Sequence, residues 1–243
     1  MNVVRMAGPN LTQLVTMAVT AFARTPRITP PMTITITLYY SPGACSLASH
    51  IALKEIGVPH TLRRFTTAEK ENYSPEYLAI NPKARIPALE IDGFILTENA
   101  AILAYLGRRF PEAGLYPRNP GQDEARILEA LVWHSNSVHT AFALIRRPER
   151  SSGDAATYPA INAHGQEEYR KALAQLDTLY ARNEWAAGGK LSVADFYPFV
   201  FARWAKMIDI DVAKSYPNLA RFCTKLAARP ATQAALAAEG LTS

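Results

Sequence analysis

The first regular pattern along the chain is an alternation of apolar and polar residues at positions 33–40. Isoleucine and leucine alternate there with threonine, and this period of two predicts a β-strand. Ser41-Pro42-Gly43 ends the pattern, and residues 45–56 then carry apolar side chains at helical spacing until Gly57 supplies a stop. Residues 60–65 have the pattern of a second short strand. A strand, a helix and a strand in this order predict a βαβ unit with parallel strands.

A hairpin and a helix are predicted next. Residues 86–91 and 94–96 are apolar runs separated by Asp92-Gly93, a strong signal for a tight turn between two strands. Thr97 is a candidate helix cap, and the apolar residues after it keep helical spacing as far as Arg109. The predicted order of this α/β half is β-α-β-(α)-β-β-α.

The second half of the chain is predicted to be all helical. Residues 110–121 contain three prolines and two glycines, as expected of a linker between domains. The first domain is therefore expected at 32–110, the linker at 111–121 and the second domain at 122–243. Beyond the linker, four amphipathic or apolar stretches predict helices at 124–144, 162–182, 193–207 and 219–228.

The first 31 residues differ from the rest in composition. They contain Arg5, Arg24 and Arg27 and no acidic residue, so they hold +3 of the net charge of +5. Residues 11–23 imitate a secretory signal, but Thr and Gln interrupt their apolar run. Because this segment has no clear period and no cap, we expect a disordered extension, with the functional protein starting at Met32. A targeting segment is the alternative.

Charge, hydropathy and cysteine spacing exclude several classes of protein. The remaining +2 is too weak to indicate a nucleic-acid partner, and no run reaches the roughly 18–20 apolar residues that a membrane-spanning helix needs. Cys45 and Cys223 have no metal-ligand spacing, which predicts reduced thiols in the cytoplasm, with no disulfide framework and no metal site.

The two cysteines have different expected roles. Cys45 stands where the first predicted helix begins, and the unpaired N–H groups at a helix start favour a thiolate. We therefore expect the pKa of Cys45 to lie below that of an ordinary thiol. Cys223 follows Phe222 in a helical stretch and is expected in the core.

Four short motifs lie on the predicted elements. They are Tyr39-Tyr40-Ser41-Pro42-Gly43-Ala44-Cys45-Ser46-Leu47, Asn81-Pro82 followed by Ile86-Pro87-Ala88-Leu89, Leu96-Thr97-Glu98-Asn99, and Leu191-Ser192-Val193-Ala194-Asp195. On these motifs the chain, over about residues 32–241, resembles the glutathione transferase family, and within it the bacterial beta class. The resemblance implies an α/β thioredoxin-like N-terminal domain plus an all-α C-terminal helical domain. It also implies glutathione as co-substrate, a homodimer, and a second-substrate site on the helical domain.

The resemblance also implies the residues around the reacting sulfur. In relatives, the residue that matches Cys45 lies beside the glutathione sulfur and can form a mixed disulfide with it. Tyr40 and Ser46 are candidate hydroxyl donors to that sulfur. Of the two, Tyr40 is the one whose side chain we rather expect to lie partly in the core. His139 matches an active-site histidine and is expected to donate to the thiolate, whereas His134 is expected to be structural.

The other glutathione contacts follow from the same resemblance. The Ile86-Pro87 bond is expected to be cis, with the Ile86 backbone pairing with the cysteinyl part of glutathione. Glu98 is expected to bind the γ-glutamyl ammonium, and the helix end with Asn99 its carboxylate. Relatives usually have Ser or Gly where Asn99 stands. Lys70 is a candidate for binding the glycyl carboxylate.

The helical half offers further candidates. Four aromatic residues either floor a second-substrate pocket or belong to the core: Trp133, Phe142, Tyr197 and Trp204. Ser192 and Asp195 have the spacing of a helix capping box. Val132 stands where relatives tend to place Asn, and Asn136 is a candidate substitute.

Together these features predict a glutathione transferase in which the bound glutathione thiolate attacks a small hydrophobic electrophile. Two alternatives stay open. In the first, Cys45 is itself the nucleophile of a glutathione-dependent monothiol transferase or disulfide reductase. In the second, the chain is a non-catalytic binding module, although Cys45, Glu98 and Ile86-Pro87 argue against a mere scaffold.

Overall fold

The computed structural model describes residues 34–242, so the predicted extension of residues 1–31 lies outside the described residues. Within them, one sheet is formed by the strands β1 (Ile36–Tyr40), β2 (Thr61–Arg64), β3 (Ala88–Ile91) and β4 (Phe94–Thr97). The strand order is β2-β1-β3-β4. β1 is parallel to β2 and antiparallel to β3, which is antiparallel to β4. The predicted βαβ unit and hairpin are confirmed.

Helices surround this sheet and then form the second half. In chain order they are α1 (Ser46–Ile56), α2 (Pro75–Ile80), α3 (Asn99–Arg109), α4 (Gln122–Trp133), α5 (His139–Arg146), α6 (Tyr158–Arg182), α7 (Phe196–Ala205), α8 (Val212–Ser215), α9 (Pro217–Ala227) and α10 (Pro230–Ala238). α1 and α3 pack on each other and on the sheet. On the opposite face, Tyr77 of α2 packs against Phe65 in a cluster with Tyr39. The fold is thus the expected α/β thioredoxin-like half followed by an all-α half. Of the helices described, none has the length and apolarity needed to cross a membrane.

Among the differences from the predicted helix boundaries, two change how a helix begins or continues. Thr97 does not cap α3, because it pairs with Ala88 as the last residue of β4, and α3 begins at Asn99. The predicted helix 124–144 is two helices, α4 and α5, joined by the π-helical segment His134–Val138. Such a segment inserts a residue into the helical repeat and reorients the side chains that follow it.

The sequence pattern did not predict α10, and this helix packs against α1. Five of its nine residues are alanine, which leaves a weak apolar period. Thr232, Ala235 and Leu236 are nevertheless buried. α10 ends beside Glu239, and so brings a carboxylate from the end of the chain to the loop that precedes Cys45.

The predicted capping box is confirmed in front of α7. The Ser192 hydroxyl accepts from the Ala194 N–H, and the Asp195 carboxylate accepts from the Ser192 N–H at 2.9 Å. Asp195 also accepts from the Ala186 N–H at 2.6 Å. Burial raises the pKa of Asp195 to about 6, even though these hydrogen bonds favour its ionised form.

Close packing of α6 on α5 fixes the helix that begins at His139. A Cβ atom on Gly165 of α6 would lie 2.8 Å from Leu144 Cβ and 2.9 Å from the Ala141 carbonyl oxygen. We expect Gly165→Ala to lower the free energy of unfolding by about 1–3 kcal/mol, because overpacking outweighs the helix propensity of alanine. Urea unfolding measures this. Gly153→Ala is the control, since nothing lies within 4 Å of its added Cβ. An unchanged midpoint in Gly165→Ala would contradict the expectation.

Candidate active site

A cleft of about 610 Å³ lies between the α/β half and the helical half. Cys45 and Ile86 line it from the α/β side, and His139, Phe142 and Trp204 line it from the helical side. The Phe142 and Trp204 rings are stacked, with centroids 4.6 Å apart. The cleft therefore combines a thiol, a histidine and an apolar aromatic surface. Trp133 lies elsewhere, against a different cavity beside α6.

Cys45 is the residue immediately before α1, as predicted, but the prediction of a lowered pKa is wrong. Its side chain is buried, and its Sγ donates to the Ile86 carbonyl oxygen at 3.3 Å. Burial raises the pKa of Cys45 to about 12, because loss of solvation outweighs the lowering by its own N–H and that of Ser46. In this structure Cys45 is a protonated thiol and a hydrogen-bond donor at neutral pH.

Tyr197 connects the two reactive side chains. Its hydroxyl lies 3.2 Å from His139 Nδ1 and is near enough to Cys45 to act against the rise in the pKa of that thiol. Burial raises the pKa of Tyr197 well above its ordinary value, so its hydroxyl stays protonated. Sequence reasoning considered Tyr197 only as a pocket floor or core residue, since no local pattern distinguishes an aromatic side chain that carries a site hydroxyl.

His139 reaches Cys45 through Tyr197. Burial, together with the charges of Arg150 and Arg85, lowers the pKa of His139 to about 4, so the imidazole is neutral at neutral pH. Its ring packs edge-on against Trp204, with centroids 5.1 Å apart. The expected donation from His139 to a thiolate therefore stays a prediction, and the direct neighbour of the thiol is the tyrosine.

The two predicted hydroxyl donors, Tyr40 and Ser46, do not belong to this cleft. Ser46 is fully buried, donates to the Ser41 carbonyl at 3.1 Å and accepts from the Ser41 N–H at 3.3 Å, so it holds the turn after β1. Tyr40 packs its ring against His50 of α1. Because adjacent residues of a strand face opposite sides of the sheet, Tyr40 points under α1. Both candidates are therefore corrected to structural residues.

The Ile86-Pro87 peptide bond is cis, as predicted. Pro87 is buried, while Ile86 is half-buried and lines the cleft. The Ile86 carbonyl is the acceptor for Cys45. The edge of the sheet and the thiol are thus adjacent.

Glu98 and Asn99 have different surroundings. Glu98 is exposed at a left-handed backbone position, with φ of 70°, and forms an ion pair with Lys83 at 2.5 Å. Asn99 is buried, its Oδ1 accepts from Ser49 Oγ at 2.5 Å, and its Nδ2 donates to the Cys45 carbonyl at 3.0 Å. The Asn99 amide therefore ties α3 to the start of α1, which corrects its prediction as a carboxylate-binding side chain. The N-terminus of α3 remains beside Glu98.

The remaining candidates lie farther from the thiol. Lys70 is exposed at a left-handed position between β2 and α2 and does not line the cleft. Val132 and Asn136 are both exposed outside the cleft, so Asn136 does not substitute for the polar residue of relatives. Cys223 is half-buried on α9 rather than a core residue. Among residues 34–242, no group of three or more His, Cys, Asp or Glu side chains could hold a metal.

Sequence reasoning also missed the anchor of the loop in front of Cys45. Gly43 has φ of 68°, its N–H donates to Glu239 Oε2 at 2.9 Å, and its carbonyl accepts from Trp204 Nε1 at 2.9 Å. The other Glu239 oxygen lies 2.9 Å from His50 Nδ1, and both side chains are buried. Both backbone polar groups of one loop residue are thus held by the helical half.

Comparison with known proteins agrees with this architecture. A family model described as the glutathione S-transferase N-terminal domain matches residues 34–108, and one described as the C-terminal domain matches residues 138–230. A glutathione S-transferase of Escherichia coli O157:H7 is 34% identical over 207 residues, which cover 84% of this chain and 98% of that protein.

Solved structures show the same similarity. A sphingomonad glutathione S-transferase complexed with glutathione is 38% identical, with a TM-score of 0.75 and coverage of 85% of this chain and 100% of that chain. A Sulfitobacter glutathione transferase homologue with bound glutathione is 32% identical, with a TM-score of 0.79 and coverage of 86% and 99%. A beta class glutathione S-transferase of Sphingomonas chungbukensis is 36% identical, with a TM-score of 0.75 and coverage of 85% and 100%.

Proposed function

The chain belongs to the glutathione S-transferase family and is a glutathione-transferring enzyme, and we propose that the cleft at Cys45 is its active site. The observation that carries the proposal is the thiol of Cys45, which lies in the cleft 3.3 Å from the Ile86 carbonyl. The cysteinyl part of glutathione pairs with the Ile86-Pro87 edge. The γ-glutamyl end lies at Glu98 and the N-terminus of α3. The glycyl carboxylate extends out of the cleft to Lys70, which is exposed beyond the lining residues.

The raised pKa of Cys45 determines its role. A thiol that stays protonated at neutral pH donates a hydrogen bond, and the Tyr197 hydroxyl is a second donor beside it. Donors aimed at the glutathione sulfur stabilise its thiolate and lower its pKa. The thiol proton of glutathione passes to solvent, its sulfur bonds to the electrophilic carbon, and the leaving group departs with its bonding pair. His139 orients Tyr197, and the electrophile rests on Phe142 and Trp204.

The raised pKa of Cys45 also favours conjugation over the alternative function, in which Cys45 is itself the nucleophile. A monothiol transferase or disulfide reductase needs Cys45 as a thiolate, and burial disfavours that form. Because the relatives are glutathione S-transferases, we assign the chain as an enzyme rather than as a non-catalytic binding module. We further propose a cytoplasmic homodimer that acts in detoxification, on the basis of the family resemblance.

Kinetic variants test the donor role of Cys45. We expect Cys45→Ala and Tyr197→Phe each to slow conjugation of a chloronitroaromatic about tenfold and to raise the pKa in the pH profile of kcat/KM by about one unit, because each removes one donor to the thiolate. Reduction of a glutathione mixed disulfide is measured in parallel, with Cys223→Ala as the matched thiol control.

Two results would count against this mechanism. Complete loss of conjugation in Cys45→Ala, with an unshifted profile in Tyr197→Phe, would make Cys45 the nucleophile. Failure of the wild-type protein to bind immobilised glutathione would remove the active site proposed at this cleft.

A further inference from the structure

The lining of the cleft is strongly cationic on both of its sides. Five arginines line it: Arg64, Arg85, Arg146, Arg147 and Arg150. No Asp or Glu appears among the described residues that line the same cleft. Arg64 and Arg85 come from the α/β half. Arg146 is the last residue of α5, and Arg147 and Arg150 follow within four residues of it.

These guanidinium groups lack partners of opposite charge. None of the five forms an ion pair with a carboxylate within residues 34–242. Outside the cleft, five of the ten arginines in residues 34–242 pair with a carboxylate, as Arg126 does with Glu129 and Arg229 with Glu55. The contacts found in the cleft are to neutral groups, such as Arg64 Nε to Thr66 Oγ1 at 3.0 Å and Arg147 to the Thr67 carbonyl at 3.4 Å. Uncompensated arginines on a concave surface attract an anion.

The positive charge of these arginines also acts on His139, which lies in the same cleft as the thiol. The positive charges of Arg85 and Arg150 contribute to lowering the pKa of His139, so their field reaches the helical wall beside the thiol. Glu149 lies between Arg147 and Arg150 in the sequence, but it is exposed and does not line the cleft. Glu98, which lies outside the lining of the cleft, acts in the opposite direction on His139, so the positive charge of the lining is opposed only from outside it.

Glutathione accounts for only part of this charge. Its glycyl carboxylate is one anionic group, for which Lys70 is proposed above, and Arg85 is the residue next to Ile86 on the α/β side. Arg146 and Arg150 instead follow Phe142 on α5 and its C-terminal extension, on the side proposed for the electrophile. In the placement of glutathione proposed above, neither of these two arginines meets one of its carboxylates.

We propose that the electrophile of this enzyme is an aromatic or similarly apolar organic anion, whose body rests on Phe142 and Trp204 and whose anionic group lies between Arg146 and Arg150. The inference rests on the proposed function, because it takes the cleft to be the site of conjugation. A guanidinium pairs with a carboxylate, sulfonate or phosphate through the same geometry. A neutral hydrophobic electrophile leaves both arginines unused.

A matched substrate pair tests the proposal. 4-Chloro-3-nitrobenzoate and 4-chloro-3-nitrobenzamide react at the same kind of carbon and differ in charge, and each kcat/KM is divided by the uncatalysed rate with glutathione. We expect the wild-type enzyme to favour the benzoate about tenfold, since a charge-assisted pair with arginine is lost in the amide. The preference should fall as ionic strength rises. In the double variant R146Q/R150Q the ratio should approach one.

Arg182→Gln is the matched control, because Arg182 is also an exposed arginine in the last turn of a helix, but lies outside the cleft. It should keep the wild-type ratio. Equal normalised values for the two substrates in the wild-type enzyme would overturn the proposal. So would a double variant that raises the KM for glutathione equally with both substrates, since the arginines would then serve glutathione.

The failure of the proposed function is distinguishable from these results. 1-Chloro-2,4-dinitrobenzene is included as a neutral electrophile of high reactivity. If it is conjugated while the benzoate has no advantage over the benzamide, only the anion proposal fails. If none of the three compounds is conjugated, the proposed function fails and the anion proposal fails with it.

Discussion

Replacing Glu239 by alanine is expected to lower the free energy of unfolding by about 3–5 kcal/mol and kcat/KM by about ten- to a hundredfold. The carboxylate is buried and accepts from the Gly43 N–H, and its second oxygen lies against His50 Nδ1. Alanine leaves the buried His50 Nδ1 and the half-buried Gly43 N–H without partners, and an unsatisfied buried group costs about 1–3 kcal/mol. The loss of activity follows because Gly43 lies in the turn that positions Cys45.

Urea unfolding and steady-state kinetics check this result. Glu239→Gln keeps an acceptor for one of the two groups, so its loss of stability should be smaller than that of alanine. Glu184→Ala is the surface control, since Glu184 pairs with Lys225 and both side chains are largely exposed. Exposed pairs contribute about 0–1 kcal/mol. A Glu239→Ala protein as stable as the Glu184→Ala protein would show that the buried anchor contributes nothing.

His134→Phe is expected to stabilise the protein by about 1–3 kcal/mol at pH 8, and by about 2 kcal/mol more at pH 5. His134 is fully buried among Trp133, Tyr197 and Phe201, and neither ring nitrogen has a hydrogen-bond partner within the described structure. Phenylalanine keeps the aromatic contacts and removes two unsatisfied polar atoms. It thereby removes a desolvation cost that folding otherwise carries.

The pH dependence follows from the direction of the pKa shift. Burial lowers the pKa of His134 to about 3, below the ~6.5 of an exposed histidine. Above pH 6.5 the residue is neutral in both the folded and the unfolded chain, so its contribution is complete. As the pH falls from 6.5 toward 3, only the unfolded chain binds the proton, and stability is lost. Phenylalanine cannot bind a proton, so the variant escapes this loss.

Urea unfolding at pH 8 and pH 5 measures both effects. His139, whose pKa is lowered to about 4, loses stability over the same range, whereas Asp195, whose pKa is raised to about 6, gains stability as the pH falls from 6 to 4. Both contributions are common to wild type and variant and cancel in their difference. His164→Gln is the control, since His164 is exposed. A difference between His134→Phe and wild type that is the same at both pH values would contradict the expectation.

The strands and most helices were predictable because their signals are local. The alternation before Tyr40, the Asp92-Gly93 turn and the stop at Gly57 each act through neighbouring residues, and all three are confirmed. α10 was missed because its alanines make no apolar stripe, and its burial depends on a surface of α1 that is distant in sequence. Thr97 was misplaced because pairing with Ala88 competed with its capping tendency.

The candidate site, like the fold, was predictable only in part. Cys45 and Ile86 were named from motifs and His139 from the family resemblance, and the structure brings all three to one cleft. Ser46 and Asn99 were assigned to ligands from the same motifs, yet their side chains are saturated by protein partners. A motif specifies which residue stands at a position, but the partners that compete for its polar atoms come from other elements.

The sequence by itself therefore determined the order of the strands and of most helices, the cis Ile86-Pro87 bond and the place of Cys45 at the start of a helix. Only the tertiary structure decided the protonation of that thiol, the hydroxyl of Tyr197 beside it, and the anchor of Gly43 by Glu239. The physical reason is the distance along the chain over which each kind of interaction acts. Backbone preferences act between adjacent residues, whereas desolvation and buried hydrogen bonds depend on groups that folding brings together from distant parts of the chain.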